Sequence, residues 1–322
     1  PGRPDGLSAL PFPAHQPAAR TPPGAAVNSR LSNWQLIADR ISSASGRAFN
    51  PGPPAGLGGG CINAAFRLSD DSQTWFVKTN DADLIDMFEA EAAGLNALAA
   101  VAAIGVPRAL CTGTGADQSF IVMEYLSLGQ GRAPDWSRAG RQLARLHRKR
   151  GSAFGWERDN TIGATPQPNG WRQDWVAFWR DQRLGYQLKL AAARGYHGQL
   201  QALGESLLAR FPALLDHAPA PSLLHGDLWG GNIGFTREGD PVIFDPATYY
   251  GDREAELAMT ELFGGFGADF YAAYREAWPL DPGYRVRREL YNLYHVLNHL
   301  NLFGGGYGSQ AQRMMQRLLA EC

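Results

Sequence analysis

The stretch Leu223–Phe235, LLHGDLWGGNIGF, followed by Gly239–Glu254, GDPVIFDPATYYGDRE, decides how this chain is read. The apolar runs around Leu223, Ile233 and Val242–Phe244 are short and bounded by glycine, aspartate and proline, which is the pattern of brief strands joined by tight loops. Asn232 and Asp245 stand 13 positions apart, the spacing at which a hairpin of this size sets its two ends side by side. Both carry hard oxygen atoms suited to Mg²⁺, an ion that keeps several waters and takes one or two protein carboxylates together with substrate phosphates. Asp227, five residues before Asn232, then lies near that ion while remaining free to accept a proton from an attacking hydroxyl.

Composition fits this reading. With 322 residues, 44% hydrophobic and 19% charged, the chain can bury a large core and is long enough for two lobes. A net charge of -1 gives no basic field for nucleic acid and no polybasic run for an anionic membrane. No apolar stretch reaches the ~18 residues of a membrane span, and no secretory signal is legible at the N-terminus. The three cysteines, Cys61, Cys111 and Cys322, have no paired spacing, so neither a disulfide framework nor a zinc site is expected and a cytoplasmic location follows.

Along the chain, residues 1–30 are rich in proline, alanine and glycine without helical or strand period, and are expected to be a disordered leader or extension. NWQLIADRISSASG reads as a helix capped at Asn33 and ending at Gly46. Two strands follow in GLGGGCINAAFRL and TWFVKTN, then a long helix in DLIDMFEAEAAGLNALAAVAA, then strands in PRALCTG and SFIVMEYL. Residues 31–126 thus form a small lobe built on a sheet, and residues 127–322 a mainly helical lobe that carries the loops at Asp227 and Asp245. The fold class is α+β and bilobal, and the ligand site belongs in the crevice between the lobes.

The small lobe supplies the other half of the chemistry. Lys78 sits on an apolar strand and needs a partner, because an unpaired buried ammonium costs several kcal/mol. Glu91, 13 residues later on the long helix, faces the side of Leu95 and Leu98 and is preferred over the rival Glu89. So paired, the lysine can reach the α- and β-phosphates of ATP. Gly58, Gly59 and Gly60, with Cys61 beside them, precede the lysine strand, where successive backbone N–H groups can form a nest for phosphate. Such donors would also lower the pKa of Cys61, making it oxidation-prone and raising a redox-linked dimer as the alternative to a monomer.

The order base, amide, metal carboxylate matches the kinase catalytic loop H-R-D-x-x-x-x-N with its later metal aspartate, except that Gly226 replaces the arginine and Pro246-Ala247 follow Asp245. Only a short connection separates Asp245 from the helical REAELAMTELF, so a small molecule, or a small adduct on a protein, is a better substrate than a docked protein segment. The blocks GGGCIN, FVK, MFEAEAAGL, DNTIGATPQPN, PSLLHGDLWGGN, FDPATYYGDREAELAMTELFGGF and LYNLYHVLNHLNLFGGGY together resemble the fructosamine (ketosamine) 3-kinase family, over about Leu31 to Tyr307. That resemblance implies a protein-kinase-like fold with a small antiparallel-sheet lobe, and transfer of phosphate from ATP, with Mg²⁺, to the sugar 3-hydroxyl of a ketoamine adduct of lysine. It implies that the phosphorylated adduct is then lost, repairing the amine, and that ribulosamines or erythrulosamines are favoured over fructosamines.

Carried onto this sequence, the resemblance makes Asp227 the general base, Asn232 and Asp245 the metal ligands, and Lys78 with Glu91 the phosphate-binding pair. Met123 lines the adenine pocket and Glu124 and Leu126 offer it backbone groups, while Trp229 stacks on the open-chain sugar or the lysine stem. Asp159 and Asn160 shape the substrate pocket or else make a turn. Glu256 stands where the family usually has aspartate, an acid that anchors the catalytic loop. Two other readings share the motif set: an aminoglycoside or amino-alcohol phosphotransferase, and an ATP-binding pseudokinase. His225 reads as a packed support. His295 and His299 have metal-like spacing without a third ligand, so a polar helix face toward the cleft or toward solvent, with Asn292, Asn298 and Asn301, is the simpler account, and Trp171, Trp175 and Trp179 read as one buried helical face.

Overall fold

The computed structural model describes residues 23–58, 62–115, 117–129 and 134–322, with residues 23–32 as backbone only. Helix α1 (Pro23–Ser45) opens the small lobe. Proline is tolerated in a first helical turn, and none follows before Pro51, so the helix starts inside the segment expected to be a leader, whose remainder at 1–22 lies outside the described residues. Asn33 is therefore interior and not a cap; its amide donates instead to Asp117. The helix stops where expected, at Gly46 with φ +69°.

The sheet consists of β1 (Ala55–Leu57), β2 (Ala64–Ser69), β3 (Thr74–Asp81), β4 (Ala109–Thr114) and β5 (Gln118–Glu124), with α2 (Ile85–Ala100) between β3 and β4. The order is β1-β2-β3-β5-β4, antiparallel throughout. The short β1, on the far side of the glycine cluster, was not legible in the sequence. Period-2 alternation splits the sheet between two helices. Val77, Phe120 and Val122 meet Ile37 and Ile41 of α1, while Ile121 and Met123 meet Phe88 and Leu95 of α2. Lys78 follows Val77 and so shares the α2 face.

The large lobe contains α3 (Trp136–His147), the hairpin β6 (Asn160–Ile162) and β7 (Thr165–Gln167), and α4 (Trp175–Trp179), which passes through a π turn at Arg180–Leu184 into α5 (Gly185–Ala193). Then come α6 (Gln199–Arg210), β8 (Ser222–Leu224), β9 (Ile233–Phe235), β10 (Pro241–Ile243), β11 (Tyr249–Gly251), α7 (Arg253–Leu262), α8 (Ala268–Ala277), α9 (Tyr284–Phe303) and α10 (Tyr307–Glu321). One extended apolar core joins Leu143, Phe178, Trp179, Leu224, Ile243, Ala258, Tyr291 and Leu297 beneath the short strands β8 to β11. Trp175 and Trp179 are buried as expected, but Trp171 is 46% exposed. Asp174 caps the helix by accepting from the Ala177 amide, which leaves Trp171 outside it. Among the described residues no helix is long and apolar enough to cross a membrane.

Candidate active site

Two short antiparallel pairs frame the catalytic loop. β8 pairs with β11 and β9 pairs with β10, with Ile233 opposite Ile243, so Asn232 and Asp245 emerge at the same end of the hairpin. The Phe244 amide donates to Asn232 O at 3.1 Å and the Ala247 amide to His225 O at 2.8 Å. His225 is fully buried, and burial holds its imidazole below its ordinary value. Its Nδ1 accepts from the Asp227 amide at 3.3 Å, which leaves Nε2 to donate to Phe244 O at 2.8 Å. This is the packed support expected of it.

Gly226 explains the missing arginine. Its φ is +87°, and a Cβ there would stand 2.0 Å from Ala247 O. Its amide donates to Glu256 Oε2 at 2.7 Å, and Glu256 Oε1 lies 2.8 Å from His147 Nε2, whose Nδ1 is 2.8 Å from the Tyr274 hydroxyl. Glu256 thus anchors the loop despite its additional methylene.

The five polar side chains converge as the sequence required. Lys78 Nζ is 2.6 Å from Glu91 Oε1 and 2.5 Å from Asp245 Oδ1. Burial alone would push the ammonium down; the two carboxylates outweigh it and leave its pKa raised. Burial pushes the Glu91 carboxyl up, against the pull of Lys78. Glu89 lies instead 3.5 Å from Arg158. Asn232 Nδ2 donates to Asp227 O at 2.8 Å and lies 3.4 Å from Asp227 Oδ2. Desolvation, with Asp245 second, raises the Asp227 carboxyl to about 7, although the residue keeps an edge toward the cleft.

A divalent cation fits these residues. The Asn232 nitrogen is committed to Asp227 O, leaving the amide oxygen as its metal-binding end. The Asp245 side chain is 45% exposed and already carries one cation, the Lys78 ammonium, on Oδ1. One carboxylate, one amide oxygen and room for water and phosphate are what Mg²⁺ takes. By contrast, the buried cluster of His217, Asp252 and Glu254 is already neutralised, since Arg287 Nε donates to Glu254 at 2.7 Å and Asp252 accepts from Tyr291 at 2.5 Å and lies 2.7 Å from His217.

Of the residues expected at the nucleotide, Met123 is 3% exposed and packs in the α2-facing cluster with Ile121, Phe88 and Phe76. The Glu124 amide is occupied by Arg108 O at 2.9 Å, and beyond Leu126 the chain bridges to the large lobe, with Gly129 N donating to Phe235 O at 3.0 Å. Gly58 is exposed with open space about it, while Gly59, Gly60 and Cys61 lie outside the described residues. Cys111 and Cys322 are free, and burial pushes the Cys111 thiol up to about 11.

The sequence profile of the fructosamine kinase family matches residues 33–321. This chain belongs to the fructosamine kinase family. It is 51% identical over 288 residues to a protein of Synechocystis described as a probable ketoamine kinase, covering 89% of this chain and 97% of that one. It is 44% identical over 269 residues to the chloroplastic protein-ribulosamine 3-kinase of Arabidopsis thaliana, covering 82% and 81%. A crystal structure from Haemophilus somnus, described as a fructosamine-3-kinase, superposes with a TM-score of 0.82 at 30% identity over 89% of this chain and 97% of the other. A choline kinase of Streptococcus pneumoniae shares the fold at a TM-score of 0.59 and 14% identity, over 90% and 100%.

In this fructosamine kinase family member the surroundings of Trp229 are more aromatic than the sequence suggested. Trp229, 36% exposed, lies against Phe263 with ring centroids 6.3 Å apart, and Phe263 in turn contacts His299 at 4.8 Å. Gly231 accommodates the indole, which a Cβ there would meet at 2.3 Å. His299 Nδ1 lies 2.8 Å from His295 O, and burial lowers the His295 imidazole to about 3; with Asn292, Asn298 and Asn301 also buried, this helix face packs into the core and not toward cleft or solvent, and the pair forms no metal cluster among the described residues. Asp159 accepts from the Asn169 amide at 2.8 Å and so closes a turn. Asn160 does not face a substrate: its nitrogen donates to Thr248 O at 2.8 Å, and its oxygen accepts from Gln167 and Asn169. The reason is that β6–β7 lies against the loop after Asp245: Thr248 of that loop takes the nitrogen end of the amide, and Gln167 and Asn169 take its oxygen. Gln167, Asn169 and Arg183 escaped the sequence reading; the first two lie in the DNTIGATPQPN block, but Arg183 carries no local signal.

Proposed function

We propose that the protein transfers the γ-phosphate of ATP to the 3-hydroxyl of a ketosamine, a ribulosamine, erythrulosamine or fructosamine adduct of lysine, and so prepares the adduct for loss from the amine. The observation that carries this reading is the approach of Lys78 to Asp245 at 2.5 Å, on a loop whose neighbour bears Asp227 and Asn232. It joins the phosphate-binding lysine of one lobe to the metal-holding carboxylate of the other in one crevice.

Lys78, fixed by Glu91, binds the α- and β-phosphates, with backbone groups of the glycine stretch beyond β1 and the connector at Glu124 and Leu126 orienting the nucleotide. Asn232 and Asp245 would hold Mg²⁺, which when bound would supply charge neutralisation for the phosphates. Asp227 accepts the proton of the sugar hydroxyl as its oxygen bonds to the γ-phosphorus and the bond to the β-bridging oxygen breaks, releasing ADP. A carboxyl poised near 7 is suited to that role. Positioning and charge stabilisation carry most of the rate in such transfers. Trp229 offers its open face to the sugar or to the lysine stem.

The test is Mg²⁺-dependent ADP release across ribuloselysine, erythruloselysine, fructoselysine, choline and an aminoglycoside. Turnover of the ketosamines, lowered at least 100-fold in Asp227→Asn with ATP binding retained, is the expected result. Turnover restricted to choline or the antibiotic would assign the site to the other phosphotransferases, and none on any acceptor would leave a nucleotide-binding scaffold.

A further inference from the structure

We infer that four buried side chains, Asn160, Gln167, Asn169 and Arg183, form the positioning element for the metal-holding Asp245, by gripping in succession the three residues Ala247, Thr248 and Tyr249. The inference rests on the metal site proposed above and explains how that site is held.

Asp245 requires such a device. Its φ is +59°, in the left-handed region, where an L-residue pays about 1–2 kcal/mol. Pro246 follows it, and a proline drives the residue before it toward extended conformations. A strained backbone of this kind persists only where its surroundings over-determine it.

Those surroundings are on both sides of the loop. Gln167 Nε2 donates to Ala247 O at 3.1 Å and Asn160 Nδ2 to Thr248 O at 2.8 Å, while the Arg183 guanidinium lies 4.1 Å from the centre of the Tyr249 ring. The gripping groups are themselves fixed. Asn160 Oδ1 accepts from Gln167 at 2.8 Å and from Asn169 at 2.9 Å. Arg183 donates to Asn169 Oδ1 at 2.8 Å and to Pro168 O at 2.6 Å, and Tyr294 donates to Gln167 Oε1 at 2.7 Å. Asn160 is 9% exposed and the other three are fully buried. Among the described residues the oxygens that accept from Arg183 are the Pro168 and Gln182 carbonyls and the Asn169 amide, with the Phe178 and Tyr249 rings against its guanidinium, and none is a carboxylate. A buried charge retained at such cost, on a π turn of the kind often found at functional sites, marks a position kept for more than packing.

From the opposite side the small lobe closes the grip. Gly94 of α2 lies so near the loop that a Cβ would stand 2.8 Å from Thr248 Oγ1 and 3.4 Å from Pro246 Cγ. The loop bearing Asp245 is thus clamped between α2 and the β6–β7 hairpin, and the aspartate is set for a metal before nucleotide arrives.

The experiment reads Mn²⁺ binding by electron paramagnetic resonance on the intact protein with ADP, beside the melting temperature and metal-free ADP affinity. Gln167→Leu removes the donor to Ala247 O at nearly constant volume. It is expected to weaken Mn²⁺ binding at least 10-fold while metal-free ADP affinity stays within twofold. Ser119→Ala, which removes a buried hydroxyl bonded to Asp81 O in the small-lobe sheet, lowers the melting temperature without weakening Mn²⁺. Should Gln167→Leu not fold, Gly94→Ala presses the same loop from the other side and carries the same expectation. Mn²⁺ binding within twofold of wild type in the folded variants, whatever their melting temperatures, overturns the inference, as does a wild type that binds no Mn²⁺. A wild type that binds Mn²⁺ with ADP but phosphorylates no ketosamine refutes the proposed reaction and not the clamp.

Discussion

Gly226→Ala tests the architecture of the catalytic loop at one atom. The φ of +87° lies where an L-residue costs about 1–2 kcal/mol. The added Cβ would also stand 2.0 Å from Ala247 O, against the 3.4 Å or more of ordinary contact, so residues 226 and 247 must separate by over 1 Å. That movement strains the Ala247 N to His225 O bond at 2.8 Å and the Gln167 bond to Ala247 O at 3.1 Å, each worth about 0.5–1.5 kcal/mol. A loss of about 2–5 kcal/mol in stability is expected, measured by urea unfolding at pH 7. Because Asp227 is the next residue, a displacement near 1 Å also costs about 100-fold in kcat, with the KM for ATP little changed since Lys78 and Glu91 are untouched. The two measurements are made on one preparation. A variant with wild-type urea midpoint and wild-type kcat would show that the loop is not held as described.

Three further outcomes follow from the site. Asp227 has its folded pKa raised to about 7 from an ordinary 3.8, so its contribution favours the fold below about pH 4 and is lost as pH rises through 7. Asp227→Asn, though inactive, is therefore expected to be more stable than wild type at pH 8 by about 1–3 kcal/mol, a figure reduced for the edge it keeps toward the cleft, and to converge with it near pH 4 in urea titrations; equal stability at both pH values would contradict the buried setting of the carboxyl. Glu91→Gln leaves Lys78 with Asp245 as its remaining carboxylate, so the loss is smaller than the 3–5 kcal/mol of a fully broken buried pair, about 1–3 kcal/mol, with kcat/KM for ATP lowered at least 10-fold in initial-rate assays. Trp229→Ala removes a ring that is 36% exposed, and is expected to raise KM for the ketosamine about 10-fold while leaving the melting temperature within about 2 °C, as scanning calorimetry would show.

Much of this protein is written locally. The spacing from Asp227 to Asn232 and Asp245 follows from a hairpin whose strands have period two, and the pairing of Lys78 with Glu91 follows from a strand and a helix, each with a fixed periodicity. A lysine among apolar neighbours announces a buried partner, because burying the charge alone is too costly. What the sequence could not show was decided by contacts between residues far apart. Asn33 looks like a helix cap until the helix is seen to begin ten residues earlier, and Trp171 shares a helical spacing with Trp175 until Asp174 ends the helix before it. Asn160 looks free for a substrate because nothing near it in the chain satisfies its amide; its partners are Thr248, Gln167 and Asn169. Arg183 carries no signal in its own stretch of sequence, yet Tyr249 and Pro168 enclose it. Local period and charge set which groups a segment must present. Which of them face a ligand and which are used up in holding a strained loop is settled only when distant segments pack, because a polar atom is free or satisfied according to neighbours that the linear order does not specify.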